Sequence, residues 1–115
     1  MRTDRLLTLA DFLETVPPEQ FSMNVWSCNT AACACGWAAR IPEFQKAGFR
    51  MARSVWWTLV PAFLNYIDWE AVDAFFELDG DDSYRLFSAT RYADGVKPGV
   101  VAAAIRQFVT GRTAA

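Results

Sequence analysis

Histidine is absent from the chain, and cysteine occurs only at Cys28, Cys33 and Cys35, within the segment SCNTAACACGWAAR. Without an imidazole, the sequence lacks the usual general base and the commonest metal-binding side chain. Most of its capacity for thiol or soft-metal chemistry is therefore confined to positions 28–35. No base is available there to activate a nucleophilic cysteine, so the absence weighs against covalent catalysis.

The chain also lacks an excess of positive charge and a long apolar run. Eleven Lys and Arg stand against thirteen Asp and Glu, for a net charge of −2, which leaves no basic stripe for phosphates. Asp4, Asp11 and Glu14 interrupt the N-terminal segment before it reaches the ~7–15 apolar residues of a secretory signal, and no stretch approaches the ~20 of a membrane span. We therefore expect a cytoplasmic protein that binds neither nucleic acid nor membrane. Three cysteines, an odd number, then favour free thiols.

Apolar and aromatic residues are abundant instead. The 115 residues are 53% hydrophobic and include five Trp, nine Phe and three Tyr. This length is typical of one domain with one core, and nothing in the sequence divides residues 1–115. The apolar fraction exceeds what one small core needs, which indicates surface available to a partner.

Helical periodicity is clearest near the two ends of the chain. Leu6, Leu9, Ala10 and Leu13 follow the i, i+3, i+4, i+7 pattern, with Thr3 or Asp4 as the cap. The alanine-rich run that follows Asn29 or Thr30 predicts a second helix, buried on all sides. The last helix is predicted to open at Pro98, with Val101, Ala104, Ile105 and Phe108 on one face.

The centre of the chain is harder to interpret. Asp68 is placed to cap the helix WEAVDAFFEL, with Glu70, Asp73 and Glu77 facing water, and Asp81 to start the short helix DDSYRLF. The segment AGFRMARSVWWTLVPAFLNYI fits extended strands or a hairpin around residues 49–59, but also a helical turn at 55–59. The simplest prediction is a mainly α, compact single-domain bundle of about five helices, with room for a short two-stranded hairpin near residues 49–59.

Three segments carry a resemblance to a known family: RLLTLADFLETVPPEQFSMNVW, CNTAACACGWAA and LFSATRYADGVKPGVVAAAIRQFV. They resemble a group of small bacterial and phage proteins of uncharacterised function, in which an N-terminal helix leads through a proline-containing turn to a Cys-Gly-Thr-x-x-Cys-x-x-Gly segment. Asn29 stands here where that pattern has glycine, and both residue types tolerate positive φ. The resemblance is weakest between residues 49 and 67. It implies a single compact domain and brings no activity, ligand or catalytic residue with it.

The three cysteines have three interpretations. If Asn29 or Thr30 caps the helix, Cys33 lies in its first turn and Cys35 about 200° further around the axis, so the two do not face one metal. Cys28 can fold back toward Cys33, which makes these two the candidate redox pair, and the helix N-terminus favours a Cys33 thiolate. The surrounding alanines and the missing base favour inert core thiols instead. We expect all three thiols to be reduced and slow to react, with no bound metal or cofactor.

A cluster of carboxylates between Asp68 and Asp82 imitates part of a calcium loop, with Asp79, Asp81 and Ser83 at alternate positions. Tyr84 occupies the position that requires glycine, and Thr90 the position of the bidentate glutamate. Helix caps and a solvated helix face explain the same residues. The cluster therefore predicts no metal site.

Trp56 and Trp57 are the remaining unusual feature. In an extended segment these neighbours point to opposite faces, so one of them leaves the core side and becomes a candidate interface residue. Tryptophan is enriched at interface hot spots. The sequence favours a small non-catalytic domain that acts through protein association, either as a homodimer or with a partner protein. The alternative is a thiol-redox protein that uses Cys28 and Cys33.

Overall fold

The computed structural model describes residues 1–24, 26, 32–55 and 57–113. Within them the chain forms six α-helices, three β-strands and two short 3-10 turns. The helices are α1 (Thr3–Leu13), α2 (Ala34–Ala38), α3 (Pro42–Lys46), α4 (Trp69–Phe76), α5 (Gly80–Phe87) and α6 (Pro98–Thr113); the strands are β1 (Arg50–Arg53), β2 (Leu59–Phe63) and β3 (Tyr66–Ile67); the 3-10 turns are Pro18–Gln20 and Ala89–Arg91.

The prediction of a mainly α bundle of about five helices is wrong, because the fold also contains an antiparallel sheet of order β1-β2-β3. The hairpin expected near residues 49–59 is present: Arg53 pairs with Leu59, and Arg50 with Ala62. The sheet then continues into β3, where Phe63 pairs with Tyr66. The four positions from 60 to 63 of the central strand are all buried, so the strand shows no alternation of apolar and polar residues.

Helices α1 and α6 pack against each other, and the predicted apolar stripe is confirmed for α1 but only in part for α6, where Ala104 and Phe108 are half-buried. The buried residues of α1 are the four expected ones, Leu6, Leu9, Ala10 and Leu13. Helix α6 begins at Pro98 as predicted, and its buried residues are Val101, Ala102, Ile105 and Val109. The predicted caps of α1 are wrong, since its N-cap is Arg2 and Thr3 and Asp4 already lie inside the helix.

An aromatic cluster joins the sheet to the helices. Phe75 of α4 stacks on Phe49 with 4.5 Å between ring centroids. It also meets Phe44 at 4.9 Å and Phe63 of β2 at 5.1 Å, both edge to face. These geometries are favourable for aromatic pairs. The guanidinium of Arg5 lies 4.1 Å from the Phe75 ring centroid, so α1 contacts the same cluster.

Helix α2 is buried as predicted but begins later than expected. Its first residue is Ala34, and Cys33 is the N-cap with extended backbone. Before it, Ala32 bridges to Phe21 in parallel, with the Ser22 N–H donating to the Ala32 carbonyl at 3.0 Å. The predicted caps Asn29 and Thr30 lie outside the described residues. The short helix α3 was not predicted, although Pro42 at its first position and Glu43 in its first turn are start signals.

Helices α4 and α5 occur in the predicted order, and their caps agree only in part with the predicted ones. Asp68 is the N-cap of α4, as predicted, but its side chain makes no capping bond and its φ is 60°. Asp79 caps α5 by accepting the Asp82 N–H at 2.8 Å, so this helix starts at Gly80, one residue before the predicted Asp81. Asp73 was expected to face water, yet it is only half-exposed and its Oδ1 is buried without a partner in the described chain. Over that same part of the chain, no helix is long and apolar enough to cross a membrane.

Candidate functional site

The turn between β1 and β2 carries one of the two tryptophans that the sequence singles out. Trp57 is 78% exposed, and its neighbour Val55 is 86% exposed. Both lie beyond the Arg53–Leu59 pair that closes the hairpin, so they form its tip. Trp56, the other predicted interface residue, lies outside the described residues. We call Val55 and Trp57 the hairpin tip.

Hydrogen bonds fix the backbone of this turn. The Ser54 N–H donates to the Thr58 carbonyl at 2.8 Å, and the Trp57 N–H donates to the Ser54 carbonyl at 3.0 Å. The hydroxyls of Ser54 and Thr58 lie 2.9 Å apart, and the Arg53 guanidinium donates to the Trp57 carbonyl at 3.0 Å. These bonds leave the Trp57 indole free of the core. Its exposure follows from the ordered shape of the turn.

Trp57 also adopts an unfavourable backbone conformation, with a φ of 62°. The left-handed region costs roughly 1–2 kcal/mol for a residue with a Cβ atom, and bulky residues are rare there. A glycine at this position would remove the strain. The chain therefore places a large apolar side chain at a strained and exposed position.

A second exposed apolar group lies at the other end of β2. It consists of Leu64, Tyr66 and Ile67, which are 65%, 45% and 56% exposed. Because β2 spans five residues at ~3.3 Å each, roughly 15 Å separates this group from the hairpin tip. Leu64 shares the positive φ of Trp57, at 54°. The sequence analysis did not single out this group, because the third strand was not predicted.

Cys33 and Cys35 are both free and buried, with 2% and 0% exposure. Burial raises the pKa of the Cys35 thiol well above its usual range. Burial also opposes ionisation of Cys33, but hydrogen bonds to its sulfur from the Cys35 thiol and from the backbone N–H groups of Gly36 and Cys35 outweigh it and lower its pKa. Cys33 is thus the more acidic of the two thiols. Cys28, the other member of the predicted redox pair, lies outside the described residues.

The expectation that Cys33 lies in the first turn of the helix, with Cys35 about 200° further around the axis, is wrong. That expectation placed both residues inside one helix. Cys33 is instead the N-cap, with a ψ of −177°, so the 100° rotation per helical residue does not apply between them. The signal that would have revealed their arrangement is the true start of α2, which the sequence does not mark with a conventional cap.

The chain around the thiols is packed against the start of α2. The Cys33 thiol donates to the Trp26 carbonyl oxygen at 3.6 Å. The same oxygen approaches Gly36 so closely that a Cβ atom there would lie 1.8 Å from it. Only glycine permits such an approach. The backbone of residue 26 therefore covers the Cys33 sulfur and restricts access by reagents.

Two carboxylates in the region of the calcium-like segment, Asp79 and Asp82, have structural partners. Asp79 caps α5, and Asp82 is bound by the Arg112 guanidinium, which lies 2.8 Å from both carboxylate oxygens. Ser83 is fully buried, so it is not presented to a solvent-borne ion. Across the described residues, no group of three or more His, Cys, Asp or Glu side chains is placed to hold a metal ion.

The chain matches no family model, no curated protein and no solved structure. The resemblance to the small bacterial and phage proteins therefore stays a prediction.

Proposed function

We propose that the protein is a non-catalytic cytoplasmic domain that acts by binding another protein, either a second copy of itself or a different partner. The observation that carries the proposal is the hairpin tip. Tryptophan is one of the residue types enriched at interface hot spots. Trp56 is included in the proposed surface because it neighbours Trp57 in the sequence.

The backbone strain of Trp57 supports this assignment. A residue in a costly conformation without burial in its own fold is better explained by function than by stability. Trp57→Gly should therefore stabilise the isolated domain, by about 1 kcal/mol, while it weakens association. A role confined to folding predicts no such opposition between the two measurements.

Size-exclusion chromatography with light scattering tests the proposal over a range of protein concentrations. If the wild type self-associates, Trp57→Ala and Trp56→Ala should each weaken association by roughly 2 kcal/mol, about 30-fold in Kd. If it does not, the same variants are compared in pull-downs from a lysate, with partners identified by mass spectrometry.

Leu64→Ala is the matched control. Leu64 is exposed, apolar and at positive φ in a turn of the same sheet, but it lies at the opposite end of β2. Its truncation should leave association unchanged. A strictly monomeric wild type would eliminate the homodimer. Partner capture that survives both tryptophan changes would eliminate the hairpin tip altogether.

A thiol-redox function is the second candidate, favoured by the lowered pKa of Cys33. In this function Cys33 and Cys28 lose two electrons and two protons to a disulfide oxidant such as glutathione disulfide, which is reduced to two thiols. Mass spectrometry after equilibration with glutathione buffers tests it. A disulfide that forms in the wild type and is lost in Cys28→Ser supports this pair, and one that persists in Cys28→Ser must join Cys33 to Cys35.

A further inference from the structure

A cleft of about 420 Å³ opens between α5 and α6. Helix α6 packs mainly on α1 and only lightly on α5, which leaves this space between them. Leu86, Tyr92, Ala104 and Phe108 supply its apolar lining. The Tyr92 hydroxyl donates to the Leu86 carbonyl at 2.6 Å, so it is already engaged, and burial raises its pKa to about 12.

Two arginines, Arg85 and Arg91, line the same cleft, together with the amide of Gln107 and without any carboxylate. Both are exposed, and neither guanidinium forms an ion pair or hydrogen bond with the described residues. The cleft is therefore distinguished by its positive charge as well as by its shape. The Arg85 and Arg91 guanidiniums and the Gln107 amide can donate hydrogen bonds to an anion.

The two arginines on helix α6 are used differently. Arg106 binds Asp11 and Glu14, each at 2.7 Å, and Arg112 binds Asp82. The chain has more acidic than basic residues, so carboxylates are plentiful. Two unpaired guanidiniums beside one apolar cleft are therefore an uncompensated positive site on an acidic protein.

We propose that this cleft binds an acidic peptide segment of a partner protein. Its carboxylates would pair with Arg85 and Arg91, and an adjacent aromatic or aliphatic side chain would contact Phe108 and Leu86. Arginine is suited to carboxylates because its planar fork can form two parallel hydrogen bonds. The cleft is open along the surface, which suits an extended chain better than a small molecule that requires enclosure.

Nucleic acid is the competing occupant, since phosphates also bind arginine. Two cations are few for a backbone that carries one charge per nucleotide, and the net charge of −2 repels it. The peptide also uses the apolar lining, which a phosphate backbone leaves unused. We therefore assign the cleft to a peptide.

Fluorescence anisotropy with short labelled peptides tests the proposal. The probe has two glutamates flanking a phenylalanine; one comparison peptide has glutamine in place of glutamate, and another has alanine in place of phenylalanine. The probe should bind the wild type with a Kd below about 1 mM, and both comparison peptides should bind about ten-fold more weakly. The R85Q/R91Q double variant should lose about ten-fold or more in affinity for the probe.

The control is the K46Q/K97Q double variant, which changes the net charge equally. Lys46 and Lys97 are exposed and do not line the cleft. This variant should bind the probe as the wild type does. Equal losses in the two double variants would show general electrostatics and overturn the proposal.

Amide chemical shifts locate the bound probe. Shift changes confined to α5, the Arg91–Tyr92 segment and α6 would support binding of the probe in the cleft. Shift changes at the β1–β2 turn would show that the peptide binds at the hairpin tip instead. Binding of a single-stranded RNA of equal length at the cleft with higher affinity, or the absence of peptide binding at about 1 mM, would also overturn the proposal. Because Trp57→Ala leaves the cleft intact, failure here and failure of the proposed association are distinguishable.

Discussion

Gly36 shows how one residue can be fixed by the path of a distant backbone. A Cβ atom at this position would lie 1.8 Å from the Trp26 carbonyl oxygen and 2.7 Å from the Ala32 Cβ. Neither is the movable end of a long side chain, so the chain must shift. We expect Gly36→Ala to lower the free energy of unfolding by about 3 kcal/mol or more, measured by urea denaturation.

Gly99→Ala is the matched control for this change, since both glycines lie in helices. No atom lies within 4 Å of a Cβ at Gly99. Alanine is the better helix former, so this variant should gain up to about 1 kcal/mol. If Gly36→Ala were as stable as the wild type, the close approach of residue 26 to α2 would be refuted.

Glu77 ends α4 in the left-handed conformation, with a φ of 53° and a ψ of 52°. Glycine adopts this conformation without steric cost and is the usual residue at such a helix end. The Arg2 guanidinium is 3.8 Å away, but this ion pair is exposed and contributes little. We expect Glu77→Gly to raise the unfolding free energy by about 1 kcal/mol in thermal and urea denaturation.

Glu77→Ala separates backbone strain from the loss of charge. It removes the carboxylate but keeps the Cβ atom, so the strain remains and stability should change by less than about 0.5 kcal/mol. If the glycine variant is no more stable than the alanine variant, then strain at this helix end is not the cause.

Burial of Cys33 and Cys35 governs how fast they react. The thiolate is the reactive form, and the covered sulfur of Cys33 is hard to reach even with a lowered pKa. In a Cys28→Ser variant, which leaves only these two thiols, we expect no rapid labelling by a thiol reagent in the native state. Two equivalents should react after denaturation.

A rapidly labelled thiol in native Cys28→Ser would show that Cys33 is reachable and would favour the redox function. Labelling that disappears in the further variant Cys33→Ala would assign the reaction to that residue. The comparison with Cys35→Ala is informative because the Cys35 thiol hydrogen-bonds the Cys33 sulfur. Its removal should raise the Cys33 pKa and slow the reaction at a given pH.

Among the elements, helix α1 and the start of α6 could be predicted from the sequence, and of the sheet only a hairpin near residues 49–59. In α1 the four residues expected on the apolar face are the four that are buried. Strand β2 offers no such pattern, because it is covered on both faces, and its central Pro61 is unusual in a middle strand. The neighbouring positive φ angles at Trp57, Leu64 and Asp68 occur in residues that do not favour them.

The candidate site was predictable in part for similar reasons. The sequence predicted that one of Trp56 and Trp57 leaves the core side, and Trp57 is exposed, but because it lies in the hairpin turn at a φ of 62° and not in an extended strand. The contact between Cys33 and Cys35 was not predicted, because it depends on where α2 begins. The arginine-lined cleft was equally hidden, since it depends on how α6 lies against α5 and not on any local pattern.

The ion pair between Asp82 and Arg112 connects the first turn of α5 to the last turn of α6. The Asp82 side chain is 8% exposed, whereas Arg112 is 52% exposed. Removal of the arginine leaves a buried carboxylate without its cation. We expect Arg112→Met to cost about 1–2 kcal/mol in urea denaturation, a value kept modest by the solvent exposure of the pair.

A double-mutant cycle with Asp82→Asn is the control for this pair. Once the carboxylate is neutral, the loss of Arg112 should cost less than about 0.5 kcal/mol, so the two changes should be far from additive. Additive effects would mean that Arg112 acts through its packing on Phe108, whose ring centroid lies 4.9 Å from the guanidinium.

At the scale of the whole molecule, helices and sheet share one core. Phe75 contacts Phe63 of the sheet, Phe44 of α3 and Arg5 of α1. Among these aromatic contacts, none joins two residues of the sheet. The packing of the buried face of the sheet therefore depends on α4. Small domains with one core usually unfold in a single cooperative transition.

Phe75→Leu tests this cooperativity, because it weakens the shared cluster without emptying it. We expect a loss of about 1–2 kcal/mol that lowers hydrogen-exchange protection equally in the amides of α6 and of β2, although these elements are far apart in the sequence. Val55→Ala, at the exposed hairpin tip, should leave both sets unchanged. If Phe75→Leu reduced protection in β2 alone, the sheet would be an independent folding unit, and the hairpin tip would then be presented by a part of the protein that opens without the helices.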